Sequence, residues 1–217
     1  MPESLAARPD NRRRPGELPP ARRDSRADTR ERLLDQGVAL IMEHGYHGAG
    51  LQAILQGVGV PKGSFYHYFP SKEDFSAEVI QHYIAPFIAL LDAHLRRPGL
   101  SARQGLLDYF DEQIEGTARQ HYRGGCLLGN LMGEIGETSD KCRESLRLAV
   151  RRYRDKLAEG IERGQAEGDF RRDLTAAAMA DLLVNQWQGA LLRMKIEQSA
   201  EPLRACRNEL LNGYFAA

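Results

Sequence analysis

The ten residues Val60–Phe69, VPKGSFYHYF, place four aromatic rings, a histidine, a lysine and a glycine just after a predicted glycine turn, in a chain of 217 residues with one tryptophan. Pro61 can open a helix, because its missing N–H falls among the amides that a first turn leaves unbonded anyway. On the helix that follows, Phe65, Tyr68 and Phe69 share an inward-leaning face, and Lys62, Gly63, Ser64, Tyr66 and His67 lie toward the outside. Aromatic side chains bury the most area per residue, so Phe65 and Phe69 suit a core too small for aliphatic residues alone. The polar tips of Tyr66, His67 and Tyr68 are left for another task.

Upstream, from Ala27, Leu34, Val38 and Ile41 recur at helical spacing beside Leu33, Gly37 and Leu40. Asp28 can cap this helix, and Gly45 in HGYHG is expected to close it in the left-handed conformation. LQAILQGVGV then predicts a short helix with Leu51, Ile54, Leu55 and Val58 inward, ended by Gly57 and Gly59; Gly50 stands where Ser or Thr would cap better. Two short helices joined by a tight glycine turn read as a helix-turn-helix.

Downstream, a long helix is predicted from Ser71 to about Arg96, with Ser71 and Asp74 in a capping-box arrangement and Pro86 jointing it into two rods. Further helices are predicted from Ser101 to near His121, in CLLGNLMGEIGE, from Ser139 or Asp140 to about Gly168, from Thr175 to Gln198, and, after Pro202, to Tyr214. No alternating strand pattern appears, so the chain reads as all-α with about nine helices.

Thirty basic residues balance thirty acidic ones, so composition alone announces no polyanion partner. Charge is segregated at the front, where residues 8 to 26 hold seven arginines against three acids, with four prolines between Pro9 and Pro20. Residues 1–26 are therefore expected to form a disordered tail, either idle or an arm that touches DNA. Cys126, Cys142 and Cys206 form no Cys-x-x-Cys pair, which argues against a disulfide framework and a zinc finger and fits a reducing compartment. No apolar run approaches a bilayer span and the start lacks the apolar stretch of a signal peptide, so the expected location is cytoplasmic, with no membrane partner.

GVPKGSFYHYFPSKEDF after HGYHGAGLQAIL resembles the DNA-binding region of TetR-family transcriptional repressors, over Thr29 to about Phe75 without a gap. The resemblance implies an all-helical homodimer, with a three-helix reader at residues 27–70 and a larger domain at 71–217 that senses a small-molecule effector and dimerises. It implies double-stranded operator DNA as partner, with Gln52, Lys62, Tyr66 and His67 as base or groove contacts and Gly63 allowing close approach. Ser64, Tyr68 and Lys72 would bind phosphate, Lys72 together with the N-terminus of its helix. Residues 27 to 80 carry four positive and seven negative side chains, so binding must rest on focused contacts.

Two later stretches, RGGCLLGNLMGEIG and WQGALLRMKIEQSAEPL, resemble a subset of that family that includes an acrylate-responsive repressor and the repressor of an N-ethylmaleimide reductase. Cys126 follows two glycines at a predicted helix N-terminus, a position whose dipole favours thiolate, and Trp187, Leu191 and Lys195 share one face of a later helix. Two readings stand: a reactive cysteine with Lys195 as its cationic neighbour or as a carboxylate ligand, or a small buried hydrophobe, an ordinary core tryptophan and a snorkelling lysine. His44 and His47 lack a third ligand, so no metal site is expected. Asp108, Asp111, Glu112 and Glu115 read as a solvated face, and nothing suggests a cofactor or an enzyme.

Overall fold

The structure is a computed structural model that describes residues 26–217. The expectation of a disordered tail falls almost wholly on residues 1–25, outside the described residues. The order is α1 (Arg26–Gly48), α2 (Leu51–Val58), α3 (Lys62–Phe65), α4 (Lys72–Leu95), α5 (Ala102–Arg119), α6 (Leu127–Ile135), α7 (Asp140–Glu167), α8 (Ala176–Glu197) and α9 (Glu201–Arg207). α9 runs on into a π-helical segment, Asn208–Tyr214. Among the described residues the only β pairing is an isolated bridge between Phe170 and Ala216.

Each of the four longest helices of the C-terminal half starts on a hydroxyl. Ser71, Ser101, Ser139 and Thr175 accept hydrogen bonds from the backbone N–H three residues on, in α4, α5, α7 and α8. Each such cap satisfies an amide that the first turn cannot, and is worth about 1 kcal/mol. The short helices α2, α3 and α6 have no side-chain cap bond and are held by packing instead.

α4 is the spine. It packs along α7 on one side, receives α5 on another, and takes α1 across its N-terminal half. At the α1 crossing the helices come so close that a Cβ on Gly37 would lie 2.5 Å from Phe75 Cζ. Phe65, Phe69 and Phe75 cluster there, two pairs edge-to-face and one tilted, with ring centroids 4.9–5.5 Å apart, and all three are fully buried. That cluster joins the recognition segment to α4 and answers why so short a stretch carries so many rings.

Three local expectations need correction. Gly45 does adopt a positive φ, but at φ 73°, ψ 173° it sits in a glycine-only extended region rather than the left-handed helical one. The chain therefore breaks there and makes one more turn to Gly48. α4 continues through Pro86 as one helix, because the surrounding packing holds the turn whose N–H the proline lacks. Pro202 lies inside the first turn of α9, where the missing donor costs nothing, and does not precede it.

Candidate functional site

The recognition segment is shorter than its sequence pattern suggests. Pro61 is the N-cap of α3 (φ −62°, ψ 144°), the helix proper lasts four residues, and Tyr66–Tyr68 continue as a turn. The predicted division of faces holds: Phe65 and Phe69 are buried, while Lys62, Gly63 and His67 are exposed and Tyr66 is 57% exposed. Ser64 and Tyr68 are half-buried, and Gln52 stands exposed on α2. No atom lies within 4 Å of the position a Cβ would take on Gly63, so nothing inside the protein requires glycine there.

α1 braces this segment from behind. The Arg26 guanidinium donates to the His67 carbonyl at 2.5 Å and lies 5.8 Å from the Tyr68 ring, and that of Arg30 lies 5.1 Å from the Phe69 ring. Arg26, counted by sequence with the tail, is thus the first residue of α1. Lys72 is only partly free for phosphate: it donates to the Tyr46 carbonyl at 3.1 Å and lies 4.5 Å from the Tyr46 ring.

The C-terminal half and α1 together border a cavity of about 730 Å³. Its walls come from α1, α4, α5, α7 and α8, with Leu128 of α6 and the loop that leads into α6. That loop is conformationally demanding, since His121, Tyr122, Gly124 and Gly125 all have φ between 53° and 85°. Cys126, which follows it, is the N-cap of α6 and half-buried, and its Sγ accepts from Gln188 Nε2 at 3.3 Å. Cys126 and Trp187 both line the cavity. Lys195 lies one turn beyond Leu191, outside the lining, with its stem against Gly125: a Cβ there would meet Lys195 Cδ at 3.0 Å. The predicted common face of Trp187, Leu191 and Lys195 exists, and its lysine flanks the cavity wall.

Three tyrosines that sequence reasoning left out converge on the same space. Tyr109 and Tyr153 share a hydrogen bond between hydroxyls at 3.0 Å. Burial holds the Tyr109 phenol well above its ordinary range, reinforced by the charge of Tyr153 and their shared hydrogen bond. Tyr153 is raised by burial against the opposing hydrogen bond from Tyr109. Tyr83, also raised by burial, has Cys126 and the Leu127 N–H beside it. These phenols stay neutral, each a hydroxyl that can donate as well as accept. Their sequence signal, tyrosines scattered over α4, α5 and α7, does not say that their tips meet.

Other groups are structural. Burial raises the Cys142 thiol and pushes Cys206 up to about 11, which leaves both unreactive. Asp108, Asp111, Glu112 and Glu115 each meet a different partner: Arg97, Arg207, His94 and Arg119. Three of these ties fasten α5 to the α4 end and to α9. No group of three or more potential metal ligands exists among the described residues.

A brace links the cavity side to the reader. Glu134 on α6 accepts from the Tyr46 N–H at 2.7 Å, directly after the Gly45 break. Val38, Ala39 and Met42 of α1 form part of the cavity wall.

Two family models match the chain, one for bacterial regulatory proteins of the tetR family over residues 33–79 and one for the tetracyclin repressor-like C-terminal domain over 102–210. The chain belongs to the TetR family of transcriptional regulators. It is 36% identical to the HTH-type transcriptional repressor DhaR of Mycobacterium sp. strain GP1, over 82% of this chain and 88% of that one. Identity to the transcriptional regulator AcuR of Cereibacter sphaeroides is 35%, over 80% of this chain and 79% of that one. The reduced form of Escherichia coli NemR superposes with a TM-score of 0.80 at 30% identity, covering 88% of this chain and 97% of that one. Membership makes this TetR-family chain a DNA-binding transcriptional regulator of the repressor type. No described helix is long and apolar enough to cross a membrane.

Proposed function

We propose that residues 27–70 read operator DNA, that residues 71–217 sense an effector and dimerise, and that occupation of the 730 Å³ cavity releases the operator. The observation that carries this reading is the double role of α1, which braces the recognition segment through Arg26 and Arg30 and walls the cavity through Val38 and Met42. An effector can shift an equilibrium only by contacting two states differently, and a ligand against α1 touches the reader directly.

On DNA, Lys62, Gly63, Tyr66 and His67, with Gln52, face the major groove. Ser64, Tyr68 and Lys72 contact phosphate, Lys72 exchanging the Tyr46 carbonyl for a phosphate oxygen. Two copies pair through α7 and α8. Support comes from an uncovered apolar strip: Leu192 and Ile196 are 57% and 83% exposed on α8, and Leu148 is 45% exposed on α7. The operator is then roughly palindromic, with half-sites about one DNA turn (~34 Å) apart or somewhat more. On this reading the protein works in the cytoplasm, where a regulator meets its operator DNA.

A second reading is favoured by Cys126, the one cysteine of the three that lines the cavity. Here an electrophile is captured covalently by its thiol, in line with the resemblance to electrophile- and acrylate-responsive repressors. The test selects bound DNA from a random pool and then treats the complex with N-ethylmaleimide. Release by N-ethylmaleimide that persists in Cys126→Ser removes the covalent reading. Failure to select any DNA sequence removes the regulator reading itself.

A further inference from the structure

The cavity is large, ringed with aromatic side chains and furnished with unspent hydrogen-bond donors, and these three features together specify a ligand class. The inference rests on the reading of the cavity as the effector site. A three-carbon acid has about five heavy atoms; at the roughly 30 Å³ a water molecule occupies in the liquid, it fills about a fifth of the space. The volume of about 730 Å³ instead matches a drug-sized molecule.

Tyr83, Phe87, Tyr109, Tyr153 and Trp187 line the cavity, and Phe110 backs Trp187 with ring centroids 4.6 Å apart. Such rings favour stacking or edge contact with a flat aromatic ligand. Tyr109 and Tyr153 hold two hydroxyl protons and use one between them, which leaves one to donate. The Trp187 indole N–H has no partner among the described residues. Both are neutral donors. The formal charges on the lining, Glu43 and Glu112 against Arg119 and Arg123, cancel, so the cavity selects neither an anion nor a cation by net charge.

We infer that the cavity takes an uncharged, flat molecule of about two aromatic rings bearing one hydrogen-bond acceptor. The Tyr109–Tyr153 pair and Trp187 hold the acceptor, and the rings extend toward Met42 of α1.

The test uses amides that do not alkylate thiols: acetamide, benzamide and biphenyl-4-carboxamide, titrated calorimetrically into the full-length protein. Affinity is expected to rise about tenfold or more with each ring, through added apolar burial. 4-Phenylbenzoate, the charged counterpart, is expected to bind more weakly than the two-ring amide. Tyr153→Phe and Trp187→Phe should each weaken the two-ring amide about tenfold, the loss expected for one hydrogen bond. 4-Isopropylbiphenyl has a similar shape and no acceptor, so it should bind parent and Tyr153→Phe alike. The inference is overturned if acetamide or acrylate matches the two-ring amide, if the benzoate binds more tightly, or if Tyr153→Phe loses both two-ring probes equally. If the two-ring amide binds as expected without releasing the selected operator, the ligand class stands and the effector reading falls. If acrylate releases the operator and ring number makes no difference, the effector reading stands and this inference falls.

Discussion

The reader and the sensor solve the problem of helix stability in opposite ways. In the C-terminal half, α4, α5, α7 and α8 are long and start on Ser or Thr, so local chemistry defines where each begins. In the reader, α2 starts on Gly50 and α3 on Pro61, neither with a side-chain cap, and α3 lasts one turn. Its geometry is fixed from outside, by three clustered phenylalanines and by α1. The lesson is that a recognition segment can be very short when its back face is fully aromatic.

The largest test of this contrast is Phe69→Ala, expected to cost about 3–5 kcal/mol as a buried aromatic lost from a packed cluster. Trp187 is the sole tryptophan and lies in the sensing half, so its fluorescence reports that half alone. Because α1 belongs to both halves, the denaturation midpoints from Trp187 emission and from circular dichroism should fall together. A Trp187 midpoint left at the parent value would show that the halves melt independently.

Next comes the double variant Lys62→Ala/Tyr66→Ala. Each lost base contact is expected to weaken operator binding by about 1–3 kcal/mol, read by fluorescence anisotropy, with the melting curve unchanged because both residues are exposed. Retained sequence selectivity would break the assignment of the exposed face.

Gly45→Ala should cost about 1–3 kcal/mol, since alanine does not tolerate φ 73°, ψ 173° and its Cβ would lie 2.8 Å from Glu134 Oε2. Faster amide exchange at Tyr46 would locate the damage at the brace. Ser139→Ala should cost about 1 kcal/mol in chemical denaturation, and Gly50→Ser should gain less than that.

The smallest effect belongs to Asp74, whose carboxyl is lowered by hydrogen bonds from Lys141 and then from Ser71. A carboxyl depressed on folding stabilises above its unfolded value, near 3.8, and that contribution disappears as pH falls through the lower folded value. Stability of Asp74→Asn should therefore converge on the parent in acid. The difference at neutral pH should shrink with salt, because the pair is solvent-exposed.

The inward pattern of Leu33, Leu34, Gly37 and Ile41, the caps and the two faces of Val60–Phe69 were legible in the sequence because each depends on neighbours a few residues apart. Continuity of α4 through Pro86 was not, since long-range packing against α7 holds that turn. In the site, Cys126 and Trp187 stood out by residue type and do line the cavity. Tyr83, Tyr109 and Tyr153 did not, because the meeting of tips from three helices is set by how those helices cross. Met42 carried no signal of its own in the sequence; only the tertiary arrangement turns it toward the cavity.

The place of Met42 has a practical outcome for anyone building hybrid regulators. On the proposed function, a graft that joins a foreign helix-turn-helix to this chain after Pro70 would exchange part of the effector pocket along with the DNA specificity, because Val38, Ala39 and Met42 of the cavity wall would be replaced. A hybrid that keeps both properties must retain α1 with the sensor and transplant only the segment from α2 through α3.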